Sequence, residues 1–134
     1  MKILFVCAGN TCRSPFAEAV ARREGRADVE SAGLTAFAGD EPPEDAIAVA
    51  RELGFDLSAH RARPLSEDML ERADVIVGMT ATHVDALDAR GARGKTRLLG
   101  GADIDDPIGR GRDAYQRTYA QIESDVRTLL EEEK

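Results

Sequence analysis

Short apolar runs alternate with amphipathic stretches along this chain. Ile3 to Val6 is a run of branched and aromatic side chains, which is the pattern of a buried strand. Later apolar runs predict three further strands, over 28–34, 74–79 and 96–99. The remaining stretches predict helices over 14–24, 43–53 and 66–70, from about residue 80, and over 113–132. Strands that alternate with helices indicate a parallel sheet with right-handed crossover connections.

The apolar stripe of each amphipathic helix shows which face packs against the sheet. In the last predicted helix, large side chains recur at spacings of four and three, namely Tyr115, Tyr119, Ile122, Val126 and Leu129. A length of 134 residues is typical of one domain, so we expect a single α/β domain over residues 1–134. Ligands of such sheets bind beyond the carboxyl ends of the strands, where the loop after the first strand lies.

That first loop carries the strongest chemical signal in the chain. It joins the strand to a helix that we expect to begin with Ser14 as N-cap and Pro15 at the first helical position. A tight loop of this kind turns its backbone N–H groups inward, and the helix behind it adds a positive dipole end. Arg13 supplies a planar fork that can hold two oxygens of a phosphate. The loop is therefore predicted to bind an oxyanion.

Cys7 stands at the mouth of this loop. The surrounding dipoles and the arginine favour its thiolate over its thiol, and a thiolate beside a bound phosphate is a nucleophile aimed at phosphorus. The alternative is a buried cysteine that only fills the core. A nucleotide-binding P-loop fits less well, because the loop has neither the second glycine nor the lysine of that motif.

A second candidate group lies in the loop over 100–111. Asp106 precedes Pro107, which restricts its backbone to extended conformations and so helps to fix its carboxyl group. It is the candidate acid that protonates a leaving group. The alternative is that Asp105 and Asp106 only cap or solubilise a surface loop, as most loop acids do.

Composition narrows the function classes. A net charge of −7, with both signs mixed, argues against nucleic acid or an anionic membrane as partner. No apolar run approaches about 20 residues and no basic-then-apolar leader is present, so we expect neither membrane insertion nor export. Two cysteines five residues apart suit a reducing cytoplasm and a catalytic or redox-sensing pair. No metal and no cofactor is expected, since the candidate ligands lack zinc-site spacing: Cys7, Cys12, His60 and His83.

The segment Val6-Cys7-Ala8-Gly9-Asn10-Thr11-Cys12-Arg13-Ser14-Pro15 resembles the active-site loop of the low-molecular-weight protein tyrosine phosphatase family. That family also includes bacterial protein arginine phosphatases and thioredoxin-linked arsenate reductases, and the resemblance covers nearly the whole chain. It implies four parallel strands with helices on both faces, and a metal-free phosphatase that forms a cysteinyl-phosphate. By this resemblance Cys7 attacks, residues 8–14 hold the phosphate, and Asp106 protonates the leaving atom and can then activate water.

The resemblance also assigns supporting residues. Asn10, Ser14, Ser31 and His60 match a hydrogen-bonded network that supports the loop in this family. Phe37 matches an aromatic wall at the mouth of the pocket. His83 has no match, and the sequence assigns it no role.

Two departures bear on the substrate. Ile108-Gly109 replaces the aromatic residues that follow Asp-Pro in the tyrosine phosphatases, and Thr11 replaces a branched aliphatic residue. A threonine there is the pattern of the arginine phosphatases. Thr11, Phe37 and Ile108 are thus the candidate specificity residues, with protein phosphoarginine as the first predicted substrate and phosphotyrosine as the second.

Other classes receive less support. Arsenate reductases need two further cysteines downstream, and residues 13–134 contain none. A non-catalytic module that binds phosphoanions is the competing class. The expected partners are phosphorylated proteins and phosphate, and the expected state is a monomer. Because Cys7 and Cys12 flank a loop that folds back around one anion, mild oxidation is expected to join them in a reversible disulfide.

Overall fold

The computed structural model describes residues 1–26 and 28–133. Its four strands are β1 (Ile3–Cys7), β2 (Val29–Gly33), β3 (Val75–Gly78) and β4 (Thr96–Leu98). Its α-helices are α1 (Arg13–Arg23), α2 (Glu44–Glu52), α3 (Glu67–Arg72), α4 (Ala81–Leu87) and α5 (Arg112–Glu132). A short π-helical turn, Asp88–Ala92, follows α4, and a 3-10 turn, Leu99–Gly101, follows β4. Within the described ranges, no helix is both long and apolar enough to cross a membrane.

The four strands form one parallel sheet in the order β2-β1-β3-β4. All five residues of β1 are buried, as expected for a central strand with helices on both faces. Phe5 pairs with Ser31 of β2 and with Val77 of β3, while Cys7 at the end of β1 pairs with Gly33. The α/β fold with a four-stranded parallel sheet is therefore confirmed.

Alternate residues of β1 divide the core into two layers, because neighbouring side chains of a strand point to opposite faces. Ile3 and Phe5 pack in one cluster with the buried faces of α1, α2 and α5, including the whole predicted stripe of α5. Leu4 and Val6 pack in a second cluster with residues of α3 and α4, including Leu70 and Leu87. Helices thus cover both faces of the sheet.

The predicted start of the first helix was wrong. Cys12 is the N-cap of α1 and makes no side-chain capping bond, so Ser14 is the second helical residue and Pro15 the third. Ser14 does not cap the helix because its hydroxyl is engaged by other side chains, 2.9 Å from Cys7 Sγ and 2.9 Å from Asn10 Nδ2. Pro15 remains compatible with its position, because N–H groups of the first turn have no partner within the helix.

Gly33 lets the loop after β1 lie directly against β2. A Cβ atom at this position would meet Ala8 O at 2.5 Å and Ala36 Cβ at 2.7 Å. The following N–H groups hold the same contact, since Leu34 N donates to Cys7 O and Thr35 N to Ala8 O, both at 2.9 Å. The position of the loop therefore depends on the absence of a side chain at residue 33.

Replacing this glycine tests that dependence. Gly33→Ala should lower the free energy of unfolding by about 1–3 kcal/mol, because the added methyl group must displace backbone atoms of the loop. Gly9→Ala is the matched control, since a Cβ there meets only Thr11 Oγ1, at an ordinary 3.7 Å. Urea unfolding of both variants measures the difference. Equal stabilities would show that the loop does not depend on Gly33.

Candidate functional site

The candidate site is the loop of residues 8–12, which lies between the carboxyl end of β1 and the first turn of α1. In the described part of the chain, the backbone N–H groups of residues 8–12 donate to no protein acceptor. Several free donors next to a helix N-terminus provide what an oxyanion requires. The loop can therefore bind an anion without breaking existing hydrogen bonds.

Asn10 determines the shape of this loop. Its φ is 55°, and among the described residues it is the only non-glycine with a positive φ. Its side-chain Oδ1 accepts from Arg63 N at 2.9 Å, and its carbonyl oxygen accepts from His60 Nε2 at 2.8 Å. Its Nδ2 donates to Ser14 Oγ at 2.9 Å and to Ser31 Oγ at 3.0 Å. A strained conformation persists where the surrounding contacts over-determine it, as they do here.

The order of donors and acceptors in this network leads from Arg63 N through Asn10 and Ser14 to Cys7. The Arg63 N–H fixes which end of the Asn10 amide carries the oxygen, so Nδ2 donates to both serines. Ser31 Oγ donates a hydrogen bond to Glu18 Oε1 at 2.6 Å. Ser14, which already accepts from Asn10, has its proton free to point at Cys7 Sγ, 2.9 Å away.

Glu18 is a member of this network that the sequence analysis missed. It is buried, accepts from Ser31 Oγ and pairs with Arg22 Nη2 at 2.7 Å. Its position four residues after Ser14, on the helix face that carries Ala17 and Ala21, was the available signal. An acid on an otherwise apolar helix face needs buried polar partners.

Two tyrosines of α5 hold the far end of the loop. Tyr119 Oη donates to Cys12 O at 2.8 Å, and Tyr115 Oη lies 3.2 Å from Cys12 Sγ. Both tyrosines are fully buried, and the Tyr119 ring stacks on Phe16 of α1. Burial raises the pKa of the Cys12 thiol, so Cys12 is protonated at neutral pH. The apolar stripe predicted only that these tyrosines pack in the core, and it did not predict the contacts of their hydroxyl groups with Cys12.

Arg13 and Asp106 meet beside the loop. Arg13 is 5% exposed, donates from Nη1 to Ile104 O at 2.8 Å, and places Nη2 3.7 Å from Asp106 Oδ2. Asp106 is half exposed, and its other oxygen accepts from Ile108 N at 3.1 Å. The carboxyl group thus stands at the edge of the site with access to solvent, while the exposed Asp105 takes no part in these contacts.

His83 also lies near these two groups, although no role was predicted for it from the sequence. It is buried, its Nδ1 has no hydrogen-bond partner, and it senses the charges of Arg13, Asp103 and Asp106. Burial, and then the charge of Arg13, lower the pKa of His83. The described residues contain no cluster of three or more His, Cys, Asp or Glu side chains that could hold a metal ion.

The remaining predicted residues lie on segments that adjoin the loop. Phe37 and Ile108 are 75% and 52% exposed, and with Met1 they are the large apolar side chains exposed among the described residues. Phe37 follows the segment that Thr35 ties to Ala8, and Ile108 follows Asp106. Thr11 is partly buried within the loop itself. Exposed apolar groups beside an anion site can contact the organic part of a ligand.

The chain is similar to known phosphatases over nearly its whole length. Residues 2–134 match the family model described as low molecular weight phosphotyrosine protein phosphatase. The chain is 33% identical to the protein-arginine-phosphatase of Bacillus subtilis (strain 168), over 100% of this chain and 97% of that protein. It is 38% identical to the low molecular weight protein-tyrosine-phosphatase Wzb of Escherichia coli (strain K12), over 93% of this chain and 90% of Wzb.

Solved structures give the same picture. The tyrosine phosphatase Wzb from Escherichia coli K30, in complex with sulphate, has a TM-score of 0.94 at 30% identity, covering 99% of this chain and 98% of Wzb. A cysteine-to-serine mutant of the YwlE arginine phosphatase, with a phosphorylated active site serine, has a TM-score of 0.89 at 34% identity. That match covers 98% of this chain and 95% of the mutant.

Two histidines, the buried His83 and the partly buried His60, predict how stability depends on pH. Burial lowers the pKa of both His60 and His83, so the unfolded state, with a histidine pKa of about 6.5, binds more protons than the folded state. Their contribution to stability is complete above that value and is lost as pH falls toward the lowered pKa. Urea unfolding should therefore give a lower free energy at about pH 5.5 than at about pH 7.5.

The double variant His60→Gln/His83→Gln is the control for this pH dependence. Neither glutamine titrates in this range, so the difference between the two pH values should shrink. If the double variant loses as much free energy of unfolding between the two pH values as the wild type does, the pH dependence comes from other groups.

Proposed function

This chain belongs to the low molecular weight phosphotyrosine protein phosphatase family, and we propose that it removes phosphate from phosphoarginine side chains of proteins through a cysteinyl-phosphate at Cys7. The observation that carries the proposal is the Cys7 sulfur, which lies 2.9 Å from Ser14 Oγ at the mouth of a loop with free backbone donors. A phosphate bound in that loop would lie against the sulfur.

The proposed reaction has two steps. In the first, Cys7 Sγ attacks phosphorus, an S–P bond forms, and the P–N bond of phosphoarginine breaks. The loop N–H groups and Arg13 stabilise the charge on the equatorial oxygens. Asp106 protonates the leaving nitrogen. In the second step Asp106 accepts a proton from water, which attacks the cysteinyl-phosphate and releases phosphate and the free thiolate.

A relative supports the covalent step. In the YwlE arginine phosphatase mutant, a serine in place of cysteine is phosphorylated in the active site. Both cysteines of the present chain are free, which suits an enzyme that needs a reduced nucleophile and a reducing compartment such as the cytoplasm. The Cys7–Cys12 disulfide stays a prediction, and Cys12 would have to leave Tyr115 to form it.

The choice of phosphoarginine rests on the groups around the loop. A guanidinium is planar, polar and hydrogen-bonding, and it loses free energy when it is desolvated against hydrocarbon. Thr11 offers a hydroxyl in the loop, where the aliphatic residue usual in tyrosine phosphatases would offer only hydrocarbon. Ile108 and Gly109 supply no aromatic ring to enclose a phenyl group. Phe37 could contact either group, by cation–π contact or by ring packing.

Phosphotyrosine is the second candidate substrate. The observation in its favour is the 38% identity to Wzb, which is above the 33% identity to the arginine phosphatase of Bacillus subtilis. Turnover of matched phosphoarginine and phosphotyrosine peptides by one preparation decides between them. We expect the larger kcat/KM for phosphoarginine, and a larger value for phosphotyrosine would reject the arginine assignment.

Thr11→Ile tests which residue sets the preference. Both side chains are β-branched, so the loop backbone should be preserved while one hydroxyl is exchanged for an ethyl group. The variant should lower phosphoarginine turnover and raise phosphotyrosine turnover. One lost polar contact, worth roughly 1–3 kcal/mol, changes the ratio of the two kcat/KM values by about 5- to 150-fold.

Thr11→Ser is the matched control, because it keeps the hydroxyl and should keep the phosphoarginine preference. An unchanged ratio in Thr11→Ile would show that Thr11 does not select the substrate.

A further inference from the structure

We infer that Asp103 is a positioning residue for Asp106, because it fastens the segment that carries this acid to the first turn of α4. The inference rests on the proposed function, in which Asp106 donates the proton to the leaving group. Asp103 itself is not the residue before Pro107, so it is not the proposed acid.

Three consecutive contacts fix this segment. Asp103 Oδ1 accepts from Ala81 N at 2.8 Å, and Ile104 N donates to Met79 O at 2.8 Å. Ile104 O then accepts from Arg13 Nη1 at 2.8 Å. The segment is thereby tied on one side to the end of β3 and the start of α4, and on the other to the arginine of the phosphate site.

Asp103 makes the one bond of these three in which the segment contributes a side chain. The two bonds of Ile104 use its own backbone atoms, so they do not depend on the side chain at position 104. Beyond Ile104, two hydrogen bonds close the segment on itself, since Ile108 N donates to Asp106 Oδ1 and Arg110 N to Pro107 O. Arg13 reaches the segment from α1, at Ile104 O and, at 3.7 Å, at Asp106 Oδ2. Asp103 supplies the side chain of the segment that ties it to α4.

The partner of Asp103 explains why this bond forms. Ala81 is the first residue of α4, and the N–H groups of the first turn have no acceptor within the helix. Thr80 caps one of them, since its Oγ1 accepts from His83 N. Asp103 supplies the acceptor for Ala81 from a distant part of the chain. The carboxylate also lies at the positive end of the helix dipole, which favours its charge there.

The mechanism gives this anchor a specific signature. A misplaced acid slows substrates whose leaving group needs a proton and spares those whose leaving group departs unprotonated. Phenolate is a much stronger base than p-nitrophenolate. A positioning residue for Asp106 therefore affects phenyl phosphate more than p-nitrophenyl phosphate, whereas a residue that only stabilises the fold affects both equally.

The test compares kcat/KM for these two esters in three variants. Asp103→Ala should lower phenyl phosphate turnover about 5- to 30-fold and p-nitrophenyl phosphate turnover less than about 2-fold. Asp103→Asn keeps the Oδ1 acceptor and should restore most of the phenyl phosphate activity. Asp106→Asn removes the proposed acid, so it should show the largest difference between the losses in kcat/KM for the two esters. Inhibition by inorganic phosphate should be unchanged in Asp103→Ala, because Arg13 keeps its bond to Ile104 O.

Three results would overturn the inference. Equal losses on both esters, or no loss, would leave Asp103 without influence on Asp106. An Asp103→Asn variant as impaired as Asp103→Ala would assign the effect to charge instead of the hydrogen bond. If Asp106→Asn itself shows no difference between the esters, Asp106 is not the acid and the inference fails with that part of the proposed function.

The two failures can be distinguished. If Asp106→Asn affects the two esters differently and Asp103→Ala does not, the inference alone is rejected. Esters are used so that the outcome does not depend on the phosphoarginine assignment.

Discussion

The left-handed backbone of Asn10 is the constraint on which the site depends. Such a conformation costs a non-glycine residue about 1–3 kcal/mol, and here the side chain and the carbonyl of the same residue hold it in place. The bond from Arg63 N orients the amide, the amide orients the Ser14 hydroxyl, and the hydroxyl faces Cys7. A glycine would adopt the same φ without strain, but it would leave both serines without a donor. The strained residue therefore helps to set the position of the Ser14 hydroxyl beside the Cys7 sulfur.

The fold supports this constraint from three directions. Gly33 brings β2 within contact of the loop, α5 places two tyrosine hydroxyls on Cys12, and the 103–104 segment holds Arg13. The contacts around the loop join residues that are distant in sequence. Asn10 and Ser31 are 21 positions apart, and Cys12 and Tyr119 are 107 positions apart. The loop is only five residues long between β1 and α1. Its conformation is consequently a property of the whole sheet and its covering helices, and core mutations far from Cys7 can alter the site.

The parts of the structure that the sequence could predict are those with a local cause. Strand and helix periodicities arise from neighbouring residues, so the parallel sheet and the buried stripe of α5 followed from the sequence. The start of α1 was misplaced because Ser14 uses its hydroxyl for Cys7, which no capping preference takes into account. The contacts of Glu18 with Ser31, and of the Tyr115 and Tyr119 hydroxyls with Cys12, were missed because they join different elements of the fold. The burial of His83 was missed because it also depends on packing between elements. The network of Asn10, Ser14, Ser31 and His60 came from family resemblance, because their spacing alone gives no reason for them to meet.

The central claim is that phosphate passes through the sulfur of Cys7, and trapping that intermediate tests it most directly. Reduced wild-type enzyme is mixed with a phosphoarginine peptide in single turnover, quenched in acid within the first turnover and digested. Mass spectrometry should find a phosphoryl group on the peptide that contains Cys7, with alkylation of Cys7 beforehand abolishing it. A phosphopeptide substrate that is fully hydrolysed while the Cys7 peptide never carries phosphate would contradict the covalent mechanism, as would undiminished turnover after Cys7 is alkylated.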